Sequence, residues 1–447
     1  LEHFRVCIIG AGPTGLTAIK NVAAAGIGDI ICHEVQDASG GIWAYSEDTA
    51  RPSVYETAHT ISSKRWSEFP DFRMPKDYPD YPSNRQILAY MRAYEAHFDL
   101  TQHIRFKSHV ETVSRAADGR WTITVTGEEG SYQHTADYLL VCSGHHRQAA
   151  IPELPGDFSG KQMHSAQYRK ADGFAGKRVL VVGGGNSACD IAVALSRVAD
   201  HVSLSIRTPQ MIIPKHILGR PVDAQFAKLH KPFTRWARNW FIKASLKLFV
   251  GPFSRYGLQQ PGPCLLSSHP TLNTEVLDRI RHGKILPRTG IEEANGRTIR
   301  FADGTKGEFD LIIWATGYKL GVPILKDVCP DWSDATQVPL YLKMMPADIS
   351  NLYFIGMIQP IGCIWVLAEL QAKVAAAEIS GAWKRPADMA ARIDLEMRRN
   401  AKRYKASTRH AIQVDTYEYT AELKKILRAA GKLNTDTSHV HMDSIEA

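Results

Sequence analysis

Two rhythms of apolar and polar residues run along this chain. Short, mostly apolar runs at 6–9, 29–33, 138–142, 179–182, 202–206, 309–314 and 352–355 predict buried strands. Between them apolar residues recur at helical spacing over 13–25, 85–98 and 365–379, the first of these stopped by Gly26. The alternation in Arg120-Trp-Thr-Ile-Thr-Val predicts a strand with one face on a core. Strand, glycine turn, helix and second strand follow one another twice, once from Phe4 and once from about residue 176. That repeat predicts the α/β class, with two units of the same design. The predicted division is 1–172 for the first unit, 173–309 for the second, and 310–447 returning to the first through the strand at 352–355 and the helix after it. The second unit is thus inserted into the first, and it encloses a helical insertion at about 216–262.

The turns give the two units their chemistry. Gly10-Ala-Gly12-Pro-Thr-Gly15 and Gly183-Gly-Gly185-Asn186-Ser187-Ala188 each follow an apolar strand and open a helix. This is the context in which glycines let backbone amides approach a dinucleotide pyrophosphate at a helix N-terminus, so both units read as Rossmann-like. At the same offset from the first glycine, just past the second strand, stand Glu34 in one unit and Arg207 in the other. A carboxylate there accepts hydrogen bonds from an adenosine ribose, whereas an arginine suits a 2′-phosphate. The first unit is therefore expected to hold FAD and the second NADPH, with hydride passing between them. Two further strands end in small residues, at Ser143-Gly144 and Ala315-Thr316-Gly317-Tyr318, which lets backbone pass close to a cofactor or to the other unit. The helix after Gly356-Met-Ile-Gln-Pro360 either directs its N-terminal dipole at the flavin or is a plain core helix, and glycine at Gly356 permits close approach.

Composition narrows the partners. The 447 residues are 44% hydrophobic and 22% charged, an ordinary globular balance. Seven cysteines (Cys7, Cys32, Cys142, Cys189, Cys264, Cys329, Cys363) show neither a C-x-x-C pair nor zinc-like spacing. A redox disulfide of the thioredoxin reductase kind and a metal site are not expected. No apolar run reaches the ~18 residues that span a bilayer, and a cytoplasmic protein is expected. The net charge of +8 is concentrated: Lys228, Lys231, Arg235, Arg238, Lys243, Lys247 and Arg255 carry no acidic residue among them. That segment predicts a helix between Pro232 and Gly251, with Phe233, Trp236, Trp240, Ala244 and Leu248 on one face. It either packs on its own domain or makes a peripheral contact with a membrane surface or lipophilic substrate. No nucleic-acid motif accompanies the charge. The oligomeric state is open, a homodimer included.

Between the fingerprints lies Phe158-Ser-Gly160-Lys-Gln-Met-His164-Ser-Ala-Gln-Tyr168, which resembles the F-x-G-x-x-x-H-x-x-x-Y signature of flavin-containing monooxygenases. The related Baeyer-Villiger monooxygenases usually carry tryptophan at the position of Tyr168. Family-like segments extend over almost the whole chain: Gly40-Gly41-Ile-Trp43, Tyr55 through Phe72, Trp314-Ala-Thr316-Gly317-Tyr318 and Glu369-Leu-Gln371-Ala-Lys373. The resemblance implies the same two-domain layout, with Gly41, Trp43, Thr316, Gly317, Gly356 and Gln371 at the FAD and His164 and Tyr168 at the domain junction. It also implies O2 as co-substrate. NADPH would reduce the flavin, oxygen would add to give a hydroperoxide, and one oxygen atom would pass to a nitrogen or sulfur of a lipophilic small molecule. Retained NADP+ would shield that hydroperoxide, through Asn186, Ser187 and Arg207.

One position departs from the pattern. In Tyr55-Glu-Thr-Ala-His59-Thr-Ile61-Ser62-Ser-Lys64 the family commonly has asparagine three residues before the lysine, where this chain has Ile61. Isoleucine donates no hydrogen bond. Either His59 or Ser62 takes over, or NADP+ alone protects the intermediate, or the protein leaks hydrogen peroxide. His59 is otherwise a loop surface residue, and His164 otherwise a structural hydrogen bond of the linker. Two alternatives stay beside N- or S-oxygenation: Baeyer-Villiger oxidation of ketones, and an uncoupled NADPH oxidase.

Overall fold

Strands β1 (Glu2–Ile9), β2 (Ile30–His33), β3 (Ile104–Arg105), β4 (His109–Arg115), β5 (Trp121–Gly127) and β6 (Gly130–Val141) form one sheet in the order β3-β2-β1-β6-β5-β4. The coordinates are a computed structural model and describe residues 1–228, 240, 244–262, 270–404 and 407–431. β1 lies at the centre because Val6, Cys7 and Ile8 are apolar in succession and buried on both faces. It pairs in parallel with β2 and with β6. β4 to β6 run antiparallel as a meander, and the inward residues Trp121, Ile123 and Val125 are fully buried.

A second sheet contains β7 (Lys161–His164), β8 (Arg178–Val182), β9 (His201–Ser205), β10 (Leu286–Arg288) and β11 (Leu311–Trp314), all parallel, in the order β10-β9-β8-β11-β7. Its hydrogen bonds start ahead of residue 173 and end after 309. β7 precedes the expected domain start and Leu311–Trp314 follows the expected end, and a separate small sheet pairs Gly156–Phe158 with Ile291–Gly296. Strand pairing thus carries the second sheet past the expected bounds of 173 and 309, and the chain crosses between the two sheets near 150 and near 317. The late strand β12 (Leu352–Phe354) returns to the first sheet beside β6, as the insertion reading requires.

Helix α1 (Pro13–Ala24) opens with proline in its first turn and ends before Gly26, whose φ of +81° is left-handed. α2 (Asn84–His97) begins with a capping box, Ser83 Oγ accepting from the Gln86 amide while Gln86 Oε1 accepts from the Ser83 amide. α3 (Asn186–Leu195) follows the second fingerprint. α4 (Ile364–Ile379) packs along α1, and α5 (Met389–Arg403) and α6 (Thr416–Ala429) complete that layer. Within the basic segment, Phe233, Trp236, Lys231, Arg235, Arg238 and Lys243 lie outside the described residues. Where the segment is described, the predicted packed face is reversed: Leu246 and Val250 are buried, whereas Trp240 is 63% and Leu248 77% exposed. Periodicity finds a stripe but not which side of the helix meets the core.

The α1–α4 contact contains a buried ion cluster. Lys20, 8% exposed, donates to Glu369 (2.8 Å) and to Asp71 (2.5 Å), and Lys373 reaches the same Glu369 oxygen at 3.0 Å. Removing one partner from such a buried pair costs roughly 3–5 kcal/mol, because the remaining charge stays buried. Lys20→Met is therefore expected to lower the unfolding free energy in urea by about 3 kcal/mol. Lys373→Met, at the solvent edge, should cost less than about 1 kcal/mol. Equal losses would show that burial of Lys20 does not govern this contact.

Candidate cofactor and active site

Both fingerprints sit where parallel strands end together, the crevice in which doubly wound sheets take ligands. At Gly15 a β-carbon would lie 1.8 Å from the Gly10 carbonyl oxygen, so only glycine lets α1 start this close to β1. Gly10 has φ +98° and abuts the Cys142 carbonyl at the end of β6. Gly12 faces Gly41 of the short turn Gly41–Trp43, and Trp43 meets Trp365 edge-on at 5.7 Å. Glu34 is 4% exposed, with one carboxylate oxygen accepting from the Ala11 amide (2.7 Å) and the other from Gln36 (2.9 Å). Burial raises its pKa, and these backbone donors oppose the shift. A carboxylate has about four acceptor sites, so two remain for ribose hydroxyls. Shape and donor set fit an FAD.

The third strand end adds Gly356, with φ +82° and room for no β-carbon against Thr14, whose hydroxyl donates to Cys142 O. Gln371 was expected at the FAD, but the structure engages it elsewhere. Fully buried, it accepts from the Gly356 amide (2.8 Å) and donates to the Tyr419 hydroxyl (2.7 Å), which donates to Leu342 O. Both ends of its amide are engaged outside α4, and one of them holds the Gly356 amide. Thr316 and Gly317, also expected at the FAD, belong to the linker: the Thr316 hydroxyl donates to Ala150 O, and Gly317 O accepts from the Ala150 amide and from His164.

His164 is buried, and its Nδ1 accepts from the Ala166 amide at 3.1 Å. The proton is therefore on Nε2, which donates to Gly317 O at 3.0 Å and joins the two linkers. Burial lowers its pKa, keeping the ring neutral. The Tyr168 ring lies 6.1 Å from that of Tyr55, tilted at 59° to it. Two histidines absent from the motifs, His145 and His146, pack in line with Tyr318 and His164 at this junction.

In the second unit Gly183 has φ +138°, and a β-carbon there would lie 2.3 Å from Ala315 O. Gly185 is the N-cap of α3, and Asn186 Oδ1 accepts from the Leu272 amide. Ser187 is exposed at the first turn and Arg207 is exposed just beyond β9, beside Gly290. Among the described residues these positions place the N-terminus of α3 and the exposed Arg207 guanidinium at the sheet end.

The segment 55–64 crosses between the units. Tyr55 donates to Asp190 of α3 at 2.6 Å, Asn273 donates to the other oxygen of Asp190, and Lys215 donates to Thr60 O at 3.3 Å. Burial raises the Asp190 pKa and lowers that of Lys215. Ile61 is half-buried. Of its neighbours, Ser62 is committed to Ser67 at 2.8 Å and His59 is exposed, with Nδ1 3.0 Å from Thr57 O. Sequence reasoning missed Thr60, whose buried hydroxyl makes no hydrogen bond among the described residues, and Asp190. Only their place next to quoted residues could have signalled them.

The flavin-binding monooxygenase-like family model matches residues 3–436. Flavin-containing monooxygenase 5 of Homo sapiens is 34% identical over 445 residues, covering 94% of this chain and 82% of that protein. Dimethylaniline monooxygenase [N-oxide-forming] 2 of Pan troglodytes is 35% identical over 442 residues, with the same shares. The ε-caprolactone-bound structure of a cyclohexanone monooxygenase superposes with a TM-score of 0.71 at 17% identity, covering 97% of this chain and 99% of that one. With both cofactor cradles and the linker motif in register, the chain belongs to the flavin-binding monooxygenase family, and its cofactors are FAD and NADPH with O2 as co-substrate.

Proposed function

We propose that this monooxygenase transfers one oxygen atom from O2 to a nitrogen or sulfur of a lipophilic small molecule. The observation that carries the reading is the Phe158 to Tyr168 motif, joined to 35% identity with an N-oxide-forming relative. Gly10, Gly12, Gly15 and the first turn of α1 would hold the FAD pyrophosphate, Glu34 its ribose, and Gly41 and Trp43 its approach. Gly183, Gly185, Asn186, Ser187 and Arg207 would hold NADPH. The bound flavin supplies hydride acceptance and oxygen activation. The chain's own work is to orient the two cofactors and exclude water. His164 and Tyr168 fix the linker, Gln371 fixes Gly356, and Ile61 contributes an apolar wall beside the Thr60 hydroxyl.

Ile61 favours a second reading, Baeyer-Villiger oxidation, and a third, an uncoupled oxidase, since no amide is available there to hold the reactive oxygen. Incubation with a sulfide and a cyclic ketone side by side separates the three. Sulfoxide matching the NADPH consumed is expected. Lactone without sulfoxide would establish the second reading, and hydrogen peroxide in place of either product the third.

Arg207→Ala is expected to raise the KM for NADPH by roughly 10–100-fold, the worth of a charge-assisted hydrogen bond of about 1.5–3 kcal/mol. The KM for NADH should hardly move. Equal losses for both would mean that another residue reads the 2′-phosphate.

Among the described residues no helix is long and apolar enough to cross a membrane. We propose instead that the basic insertion makes a peripheral contact, since Trp240, Ala244, Leu248 and Phe249 are exposed beside Lys247 in a segment free of acids. Cosedimentation with anionic vesicles, weakened by salt and by Lys247→Glu, is expected, with each basic residue near the surface worth about 1 kcal/mol. Equal binding to neutral vesicles would remove the electrostatic part of this proposal.

A further inference from the structure

Arg169 follows the Phe158–Tyr168 motif directly and is 6% exposed, and the hydrogen bonds of its guanidinium among the described residues all go to main-chain carbonyls. Its guanidinium is spent on main-chain carbonyls from two separate segments. Nη1 donates to Ala166 O (2.6 Å) and Tyr168 O (3.2 Å) in the loop after β7, and Nη2 donates to Asp48 O (2.9 Å) and Arg51 O (2.6 Å) of the first unit. The Arg169 carbonyl in turn accepts from the Glu56 amide at 2.7 Å. The next anchor along that stretch, Tyr55, donates to Asp190 across the junction. Residues 48–56 are therefore held by the second unit through the Arg169 side chain, the Arg169 carbonyl and Asp190.

Burying a cation costs several kcal/mol unless its surroundings repay it. Here the repayment is four carbonyl dipoles in a fixed arrangement, and Nε is left buried without a partner. Burial lowers the pKa of the guanidinium while the neighbouring Tyr45, Asp48 and Tyr318 oppose the shift. Arginine stays charged throughout, so what the site uses is the planar fork. A lysine ammonium reaches from one atom and cannot place two nitrogens between two segments.

We propose that Arg169 is a positioning residue, a clip between the loop after β7 and 48–56 that keeps the segment bearing Ile61 in register with the second unit for hydride transfer. The proposal rests on the reading that 55–64 borders the flavin. Its consequence is geometric: the two cofactor cradles keep their own contents when the clip is removed, but their reacting groups lose alignment. Misplacement of about 1 Å costs on the order of a hundredfold in rate.

The test compares holoenzyme carrying Arg169→Lys or Arg169→Met with the unaltered protein. Three quantities are read: the anaerobic rate of flavin reduction at saturating NADPH, the Kd for NADPH, and amide hydrogen exchange over 48–64. Both variants are expected to keep FAD and bind NADPH normally, to reduce flavin roughly tenfold to a hundredfold more slowly, and to exchange faster over 48–64. Lysine should not rescue. Full activity of Arg169→Lys with unchanged exchange would overturn the proposal in favour of a role for charge alone. Faster exchange with an unchanged reduction rate would overturn the link to hydride transfer and leave the cofactor assignments standing. Loss of FAD from both variants would overturn it too, since Arg169 would then serve the first unit as a whole.

Discussion

Close backbone approach at the strand ends is the constraint on which the rest of the first unit depends. Three chain crossings meet where Gly10, Gly15 and Gly356 leave no room for β-carbons, and Thr14 is wedged between the Cys142 carbonyl and Gly356. The axis of α1 is set by that contact. Once it is set, Lys20 one turn further on meets Glu369, and α4 is carried into position beside it. The C-terminal helices then act at one remove: Tyr419 of α6 holds Gln371, which holds the Gly356 amide. Leu342 and Lys343, both at φ +52°, form a strained turn whose Leu342 carbonyl accepts from the same tyrosine, while Lys343 is paired with Glu396 of α5. Strain of this kind, worth about 1–3 kcal/mol per residue, persists only where surrounding structure holds it.

This explains what could be read from the chain and what could not. Steric need at a glycine is local, so both fingerprints, their strands and helices, and the acid at Glu34 were legible from residue type and spacing alone. Strand boundaries near the linkers were not, because β7 gains its partner β11 from far along the chain and nothing within 161–164 signals it. The partners of Gln371 were not legible for a related reason. An amide in a family-like segment suggests a ligand contact, whereas its actual partners are a backbone amide and a tyrosine hydroxyl from two other elements. Backbone acceptors have no side-chain signature, and for that reason Arg169 carried no signal either. The basic helix shows the limit of periodicity itself: a stripe at Trp240, Ala244 and Leu248 was found, but the core lies on the side of Leu246 and Val250.

The junction is built from neutral or singly compensated polar contacts. His164 is fixed in one tautomer by two backbone groups, and Asp190 receives hydrogen bonds from a tyrosine and an asparagine with Lys215 nearby. Such contacts are directional, and in a partly buried site they specify orientation more than they add stability. They suit a place where two cofactors must be held at a set separation without a strongly charged wall between them.

Ile61 belongs to this logic. A donor at that position would hold a reactive oxygen by a hydrogen bond, and under the proposed function its absence leaves that task to exclusion of water. The residues around it are consistent with that transfer: Ser62 is turned away to Ser67, Thr60 is buried, and Lys215 caps the Thr60 carbonyl from the second unit. Water exclusion depends on how tightly two domains close, whereas a hydrogen bond depends on one side chain. Under the proposed function, the ties across the junction, from Tyr55 to Asp190 and from Arg169 to the carbonyls of 48–51, would bear on the fate of the oxygen as much as on hydride delivery.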